Sequence, residues 1–237
     1  KRMRVEAGGV RQAAEKLFYA AARGVYVDGF HDGHQSEQIS QQTNALAITS
    51  GVCPPERERE VLTRILDPND AKLCRCGTYF WAYLAEALCQ AGMHREMWSE
   101  VVRLWGGMVE RGATTWWETF LGDELDSLCH IWSSVPGYLL LAEVLGVKPA
   151  LPGFSEIMIR PRVDLLSQAG GLVPICDGEI ELEWSRTETE CCLTARNGTE
   201  VLATIESPGG WIFAESHASK IALQAGHLAV LRIVKEE

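Results

Sequence analysis

The apolar residues of this 237-residue chain change their spacing once, near Pro149, and that change governs what the chain can fold into. Before it they recur every three or four positions, the period of a helix buried along one side. After it they alternate, the period of a strand with one face in a core. One such switch predicts a helical domain over 1–150 followed by a β domain over 151–237, each long enough to hold a core.

Val10, Ala14, Leu17, Phe18 and Ala21 share one stripe of a first helix. A second helix is expected from Glu37 to Thr49, stopped by Gly51. Pro54-Pro55 opens a third, with Val61, Leu62 and Ile65 inward and Glu56–Glu60 outward as a solvated face. Phe80, Leu84, Ala87, Leu88 and Ala91 mark a fourth, closed by Gly92. Met97, Val101, Leu104, Trp105 and Met108 mark a fifth. A sixth spans roughly Trp132 to Leu145, with Pro136 starting or kinking it and Gly146 ending it. Short and medium connections imply antiparallel hairpins. Six helices so paired fit a complete bundle, or half of a twelve-helix α/α toroid.

Leu151-Pro152-Gly153 reads as a linker, and Ile157, Met158 and Ile159 as a strand that Pro161 stops. Glu179–Trp184 alternates with period two. Cys191–Ala195 and Glu200–Glu206 flank Asn197-Gly198, a hairpin signal. Trp211–Phe213, Lys220–Leu223 and His227–Val234 complete an expected antiparallel β-sandwich.

The net charge is -10, and both halves share it, so no nucleic-acid partner is expected. No apolar run approaches the ~20 residues of a membrane span, so no membrane partner is expected either. The eight cysteines fit neither a zinc site nor a disulfide framework and read as reduced thiols, which points to the cytoplasm, with a secreted parent left open. Asp28-Gly29-Phe30-His31-Asp32-Gly33-His34 is rich in ligand types but reads as a turn-rich loop. No metal and no cofactor are expected. The chain opens Lys1-Arg2-Met3 and reads as a segment of a longer protein.

Chemistry concentrates in residues 111–132, between the fifth and sixth helices. Trp116, Trp117 and Trp132 accompany Glu118 and His130 there. Indole faces beside a carboxylate and an imidazole suit a sugar, whose C–H face packs on the ring while its hydroxyls need polar partners. A carboxyl partly desolvated by indoles has a raised pKa and works as a proton acceptor near neutrality. Asp123, Glu124 and Asp126 are expected to be solvated, and Cys129-His130 is not read as a nucleophile pair, because neighbours on a helix diverge.

Gly112-Ala113-Thr114-Thr115-Trp116-Trp117-Glu118 and Ser127-Leu128-Cys129-His130-Ile131-Trp132-Ser133-Ser134 resemble the α-L-rhamnosidases of glycoside hydrolase family 78. Gln41-Gln42-Thr43-Asn44, Gly77-Thr78-Tyr79-Phe80 and Leu145-Gly146-Val147-Lys148-Pro149 extend the resemblance over most of residues 30–185. The resemblance implies a partial (α/α)6 barrel followed by a β-sandwich, and hydrolysis of terminal α-L-rhamnosides with inversion. It implies Glu118 as general base, His130 on sugar hydroxyls, and Trp117 and Trp132 shaping the pocket, with Trp116 more variable. The family's Asp/Arg-rich motif, which carries the general acid, has no counterpart here. Expected partners are therefore a rhamnose-containing glycoside and either the missing barrel half or a second copy, docked on exposed helix faces. A non-catalytic carbohydrate-binding remnant and another inverting α/α-barrel glycosidase are the alternatives.

Overall fold

A computed structural model of the chain describes residues 2–123 and 125–236. The chain forms two compact units, residues 1–135 and 136–237.

Among the described residues the first unit carries α1 (Arg2–Phe18), α2 (Gln41–Thr49), α3 (Pro55–Ile65), α4 (Trp81–Gln90) and α5 (His94–Glu110). Its loops hold three two-residue ladders. β1 (Tyr19–Ala20) pairs with β2 (Val25–Tyr26), β3 (Phe30–His31) with β4 (His34–Gln35), and β5 (Ile39–Ser40) with β6 (Leu73–Cys74). The ligand-rich loop is thus a tight hairpin, with Asp32 and Gly33 at positive φ as its turn.

The β5–β6 pairing corrects the start of α2, which begins at Gln41 and not at Glu37. Ser40 caps it, its Oγ accepting from the Thr43 amide at 3.1 Å. Two buried amides in α2 then fasten the loops. Asn44 Oδ1 accepts from the Tyr26 amide at 2.8 Å, and its Nδ2 donates to the Tyr26 and Ser40 carbonyls. Gln41 donates to the Ile65 carbonyl and accepts from the Cys76 amide, both at 2.8 Å. Glu58 is a second correction. It is buried, not solvated, and accepts from Gln90 Nε2 at 2.8 Å. The core is Ile48, Leu62, Ile65, Leu84 and Leu88, with Trp81 and Trp105 edge to face at 5.7 Å. α1 is tied down through Glu15, which accepts from Tyr26 and Arg57, while Met3 (81%) and Val10 (68%) on the same helix are exposed.

The expected sixth helix is three joined turns: a 3-10 turn (Ile131–Ser133), α6 (Val135–Leu139) with Pro136 in its first turn, and a wider turn (Leu140–Val144). Gly146 ends it at φ +76°. Its carbonyl accepts from the Arg160 amide at 2.9 Å, so two backbone segments touch at this point. Among the described residues no helix is long and apolar enough to cross a membrane.

The second unit is a two-sheet sandwich of β7 (Val147–Pro149), β8 (Ile157–Ile159), β9 (Gln168–Ile175), β10 (Gly178–Arg186), β11 (Glu190–Asn197), β12 (Ala203–Glu206), β13 (Trp211–Phe213), β14 (Lys220–Leu223) and β15 (Leu228–Lys235). One sheet is antiparallel, in the order β13-β15-β11-β10-β9. The other runs β14-β12-β8-β7 and is antiparallel except for the parallel β8–β12 pair. Ile180, Leu182, Trp184, Leu193 and Ala195 of the first sheet and Ile157, Ile159, Ala203 and Ile205 of the second are buried. Leu151-Pro152-Gly153 lies in the connection between paired strands β7 and β8, so it is a turn inside the unit.

The hairpin expected at Asn197-Gly198 is not formed. β11 pairs with β10 and β15, whereas β12 pairs with β8 and β14, so the chain crosses between sheets there. Asn197 is fully buried at the crossing, its Nδ2 donating to the Val201 carbonyl at 2.7 Å and the Leu223 carbonyl at 3.2 Å. β9 had no sequence signal, because Gly170, Gly171 and Pro174 all depress strand propensity. It lies at a sheet edge, where a proline that cannot donate is tolerated.

On the smaller sheet Glu206 meets Arg160 Nε at 2.9 Å and Lys220 Nζ at 3.4 Å. Burial works to raise its pKa, and the two cations together outweigh that and hold it below 4.5. A carboxyl lowered by folding stabilises the fold above its unfolded pKa, and that contribution is lost as pH falls through the folded value. Unfolding free energies of the wild type and Glu206→Gln from urea titration should therefore converge below about pH 4.5, from a gap of about 0.2–1 kcal/mol at neutrality. A gap that is independent of pH would contradict this.

Candidate active site

The loop between α5 and the Ile131–Ser133 turn doubles back on itself. The Glu118 amide donates to the Ser127 carbonyl and the His130 amide to the Trp116 carbonyl, each at 2.8 Å. Thr115 Oγ1 donates to the Leu128 carbonyl. These rungs bring residues twelve positions apart in sequence face to face. Glu118 Oε2 stands 3.8 Å from His130 Nδ1 and accepts from the Ser127 amide at 3.2 Å. The Glu118 side chain keeps 35% of its exposure and that of His130 24%, so both are held yet reachable.

A buried relay fastens Glu118 from behind. Trp105 Nε1 donates to the Ser133 carbonyl at 2.8 Å, Ser133 Oγ donates to Thr78 Oγ1 at 2.9 Å, and Thr78 Oγ1 donates to the Glu118 carbonyl. Thr78 and Ser133 are buried, so no water replaces a lost partner at little cost. Thr78→Val should lower stability by about 1–3 kcal/mol in denaturant titration, with Thr78→Ser much closer to wild type. Equal losses from the two variants would mean that packing, not the hydroxyl, matters.

The three predicted tryptophans take different places. Trp116 lines an open cleft of about 550 Å³ together with Thr115, Ser127, Cys129, His130 and Ile131. Trp132 lies against His130, ring centres 4.1 Å apart. Trp117 packs under the Arg111 guanidinium at 4.8 Å and against Gly122. Gly122 has φ +64°, and a Cβ there would fall 2.2 Å from the Trp117 ring. Arg111 also donates to the Phe120 and Leu121 carbonyls, clasping the loop. Asp126 is a correction: it is half-buried and accepts from the Thr119 hydroxyl and the Asp123 amide, not solvated. Asp123 is exposed, and Glu124 lies outside the described residues. Thr78, Ser133 and Tyr79, which sequence reasoning did not assign to the site, adjoin it. Thr78 and Tyr79 lie in Gly77-Thr78-Tyr79-Phe80, whose resemblance implied an inner helix of the barrel, and Ser133 lies in the Ser127–Ser134 motif.

His130 and Trp116 line the open cleft, and Glu118 stands 3.8 Å from His130, a combination of acceptor, imidazole and indole that can bind a polyol and take a proton from water. The family described as bacterial alpha-L-rhamnosidase 6 hairpin glycosidase domain matches residues 1–144, and that described as bacterial alpha-L-rhamnosidase C-terminal domain matches residues 146–210. The alpha-L-rhamnosidase of Alteromonas sp. (strain LOR) is 30% identical over 165 residues, 62% of this chain and 18% of that protein. The family 78 rhamnosidase of Bacillus sp. GL1 superposes with a TM-score of 0.67 at 30% identity, over 75% of this chain and 20% of that one. The Streptomyces avermitilis alpha-L-rhamnosidase, solved with L-rhamnose, gives a TM-score of 0.67 at 20% identity over 95% of this chain and 22% of that one. The chain thus spans about a fifth of the length of each of these relatives.

Proposed function

The chain belongs to the bacterial alpha-L-rhamnosidase six-hairpin glycosidase family, and from that premise we propose that it supplies the water-activating side of an inverting α-L-rhamnosidase active site. Glu118 is the general base, removing a proton from the water that attacks the anomeric carbon. His130 holds a sugar hydroxyl, and Trp116, Trp117 and Trp132 shape the pocket. The general acid, which protonates the departing oxygen, belongs to a part of the enzyme other than these residues. In an inverting enzyme the two carboxyl groups stand roughly 6.5–9.5 Å apart, leaving room for the water.

The observation that carries this reading is the Glu118–His130 pair. An acceptor and an imidazole 3.8 Å apart are fixed by backbone rungs, and the imidazole lines an open cleft. Product stereochemistry tests it. In the protein that carries this chain, an aryl α-L-rhamnoside should first give β-L-rhamnose, read by proton NMR before mutarotation. With Glu118→Ala, azide should rescue turnover as β-L-rhamnosyl azide, because a small anion needs no base. An α-configured first product would overturn the assignment.

The exposed Met3 and Val10 on α1 support a companion proposal, that the helical unit docks on the rest of the barrel or on a second copy. The isolated chain should then sediment above its 26.2 kDa mass or bind a hydrophobic dye. A monomer that takes up no dye would count against docking.

A further inference from the structure

Among the described residues no hydrogen bond holds the His130 imidazole, and its charged neighbour, Glu118, stands 3.8 Å from Nδ1. The second torsion of a histidine is broad, so such a ring turns easily unless another group lies against it. Trp132 does so, with ring centres 4.1 Å apart and planes tilted by 41°. Tyr79 backs Trp132 at 5.7 Å, and Tyr83 backs Tyr79 at 6.2 Å, the two phenols sharing a hydrogen bond. Tyr83 belongs to α4, so the row ties the imidazole to a helix and not only to its own loop.

These rings add little to the core, which Trp81 and Trp105 fill, because Trp132 is 46% exposed and Tyr79 52%. Nor does Trp132 line the open cleft, where His130 and Trp116 do. A ring that is neither buried nor at the cleft wall, yet touches the imidazole, acts on a guest in the cleft through that imidazole. With Nδ1 facing Glu118, Nε2 is the ring nitrogen left for a sugar hydroxyl. A hydrogen bond weakens steeply once its angle is lost, so the ring plane decides whether that bond forms. Fixing the plane beforehand also removes an ordering cost at binding.

We propose that Trp132 and Tyr79 are positioning residues, which together fix the plane of the His130 imidazole so that Nε2 meets a sugar hydroxyl while Nδ1 faces Glu118. This rests on the function proposed above. It also says how Trp132 shapes the pocket, which is at one remove and without touching the sugar.

A double-mutant cycle in the protein that carries this chain tests the idea, with an aryl α-L-rhamnoside as substrate. Trp132→Ala should lower kcat/KM roughly two- to tenfold, the worth of one sugar hydrogen bond, mainly through KM. Tyr79→Ala should lose less, and Trp132→Phe and Tyr79→Phe, which keep a ring in place, should stay near wild type. In a His130→Ala background both losses should shrink to less than about twofold, because the group they act on is gone. Melting curves should stay close to that of the wild type, since only half-exposed rings are replaced. Losses that multiply in the His130→Ala background, or no loss with His130 present, would overturn the positioning role. Histidine ring-proton NMR of the chain gives a readout independent of turnover. The His130 signals, identified by their absence in His130→Gln, should lie upfield under the indole ring current and move downfield in Trp132→Leu. Signals that do not move would overturn the contact. Signals that move as expected in a protein with no turnover of any rhamnoside would instead sink the proposed function and leave the stack standing.

Discussion

Glu118→Gln in the protein that carries this chain should lower kcat on an aryl α-L-rhamnoside by roughly 10²–10⁴-fold, the usual contribution of a positioned general base. KM should stay within a small factor of the wild-type value. Glutamine keeps the shape and an oxygen that accepts from the Ser127 amide, so the loop retains that bond. The backbone rungs to Ser127 and Trp116 do not involve the side chain at all. What disappears is the negative charge that draws a proton from water. An unchanged melting curve alongside the loss would exclude a folding defect. Retained turnover would remove Glu118 from the mechanism.

The largest expected effect on stability lies in the other unit, at Gly146. A Cβ added there would fall 1.9 Å from the Arg160 carbonyl oxygen, on a residue at φ +76°. Backbone cannot rotate aside as a flexible side chain does. Left-handed strain costs roughly 1–2 kcal/mol and overpacking typically 1–3 more, so Gly146→Ala should lose about 2–5 kcal/mol in urea denaturation. Gly137 in α6 is the control: a Cβ there meets nothing within 4 Å, and alanine should be neutral or slightly stabilising. Similar losses at both glycines would refute the steric account.

The reading of the sequence went furthest where one element's periodicity decides the matter. Period-two alternation located β10, and the helical stripes located α3, α4 and α5, because each pattern reports burial along a single element. It failed where a distant partner decides. Asn197-Gly198 carries a genuine turn signal, but the signal does not say in which sheet the next strand will lie. Glu58 sits in a charge run, and only Gln90, 32 positions later, makes it a buried acceptor. The site divides the same way. Glu118 and His130 were picked out by motif, yet the cross-loop rungs that place them 3.8 Å apart leave no trace in local composition. Neither does the Trp105–Ser133–Thr78 relay, since a threonine or serine announces nothing until its hydroxyl finds a buried partner.

The buried crossing at Asn197 bears on where such a protein can be made. Asn197-Gly198-Thr199 is an acceptor triplet for N-linked glycans. In the folded sandwich the asparagine amide is fully buried and both its donor bonds are taken. A glycosyltransferase could reach it only on the extended chain, and a glycan installed then would occupy the amide that Val201 and Leu223 require. Glycosylation and closure of the sandwich compete for one nitrogen atom, and whichever acts first shuts out the other.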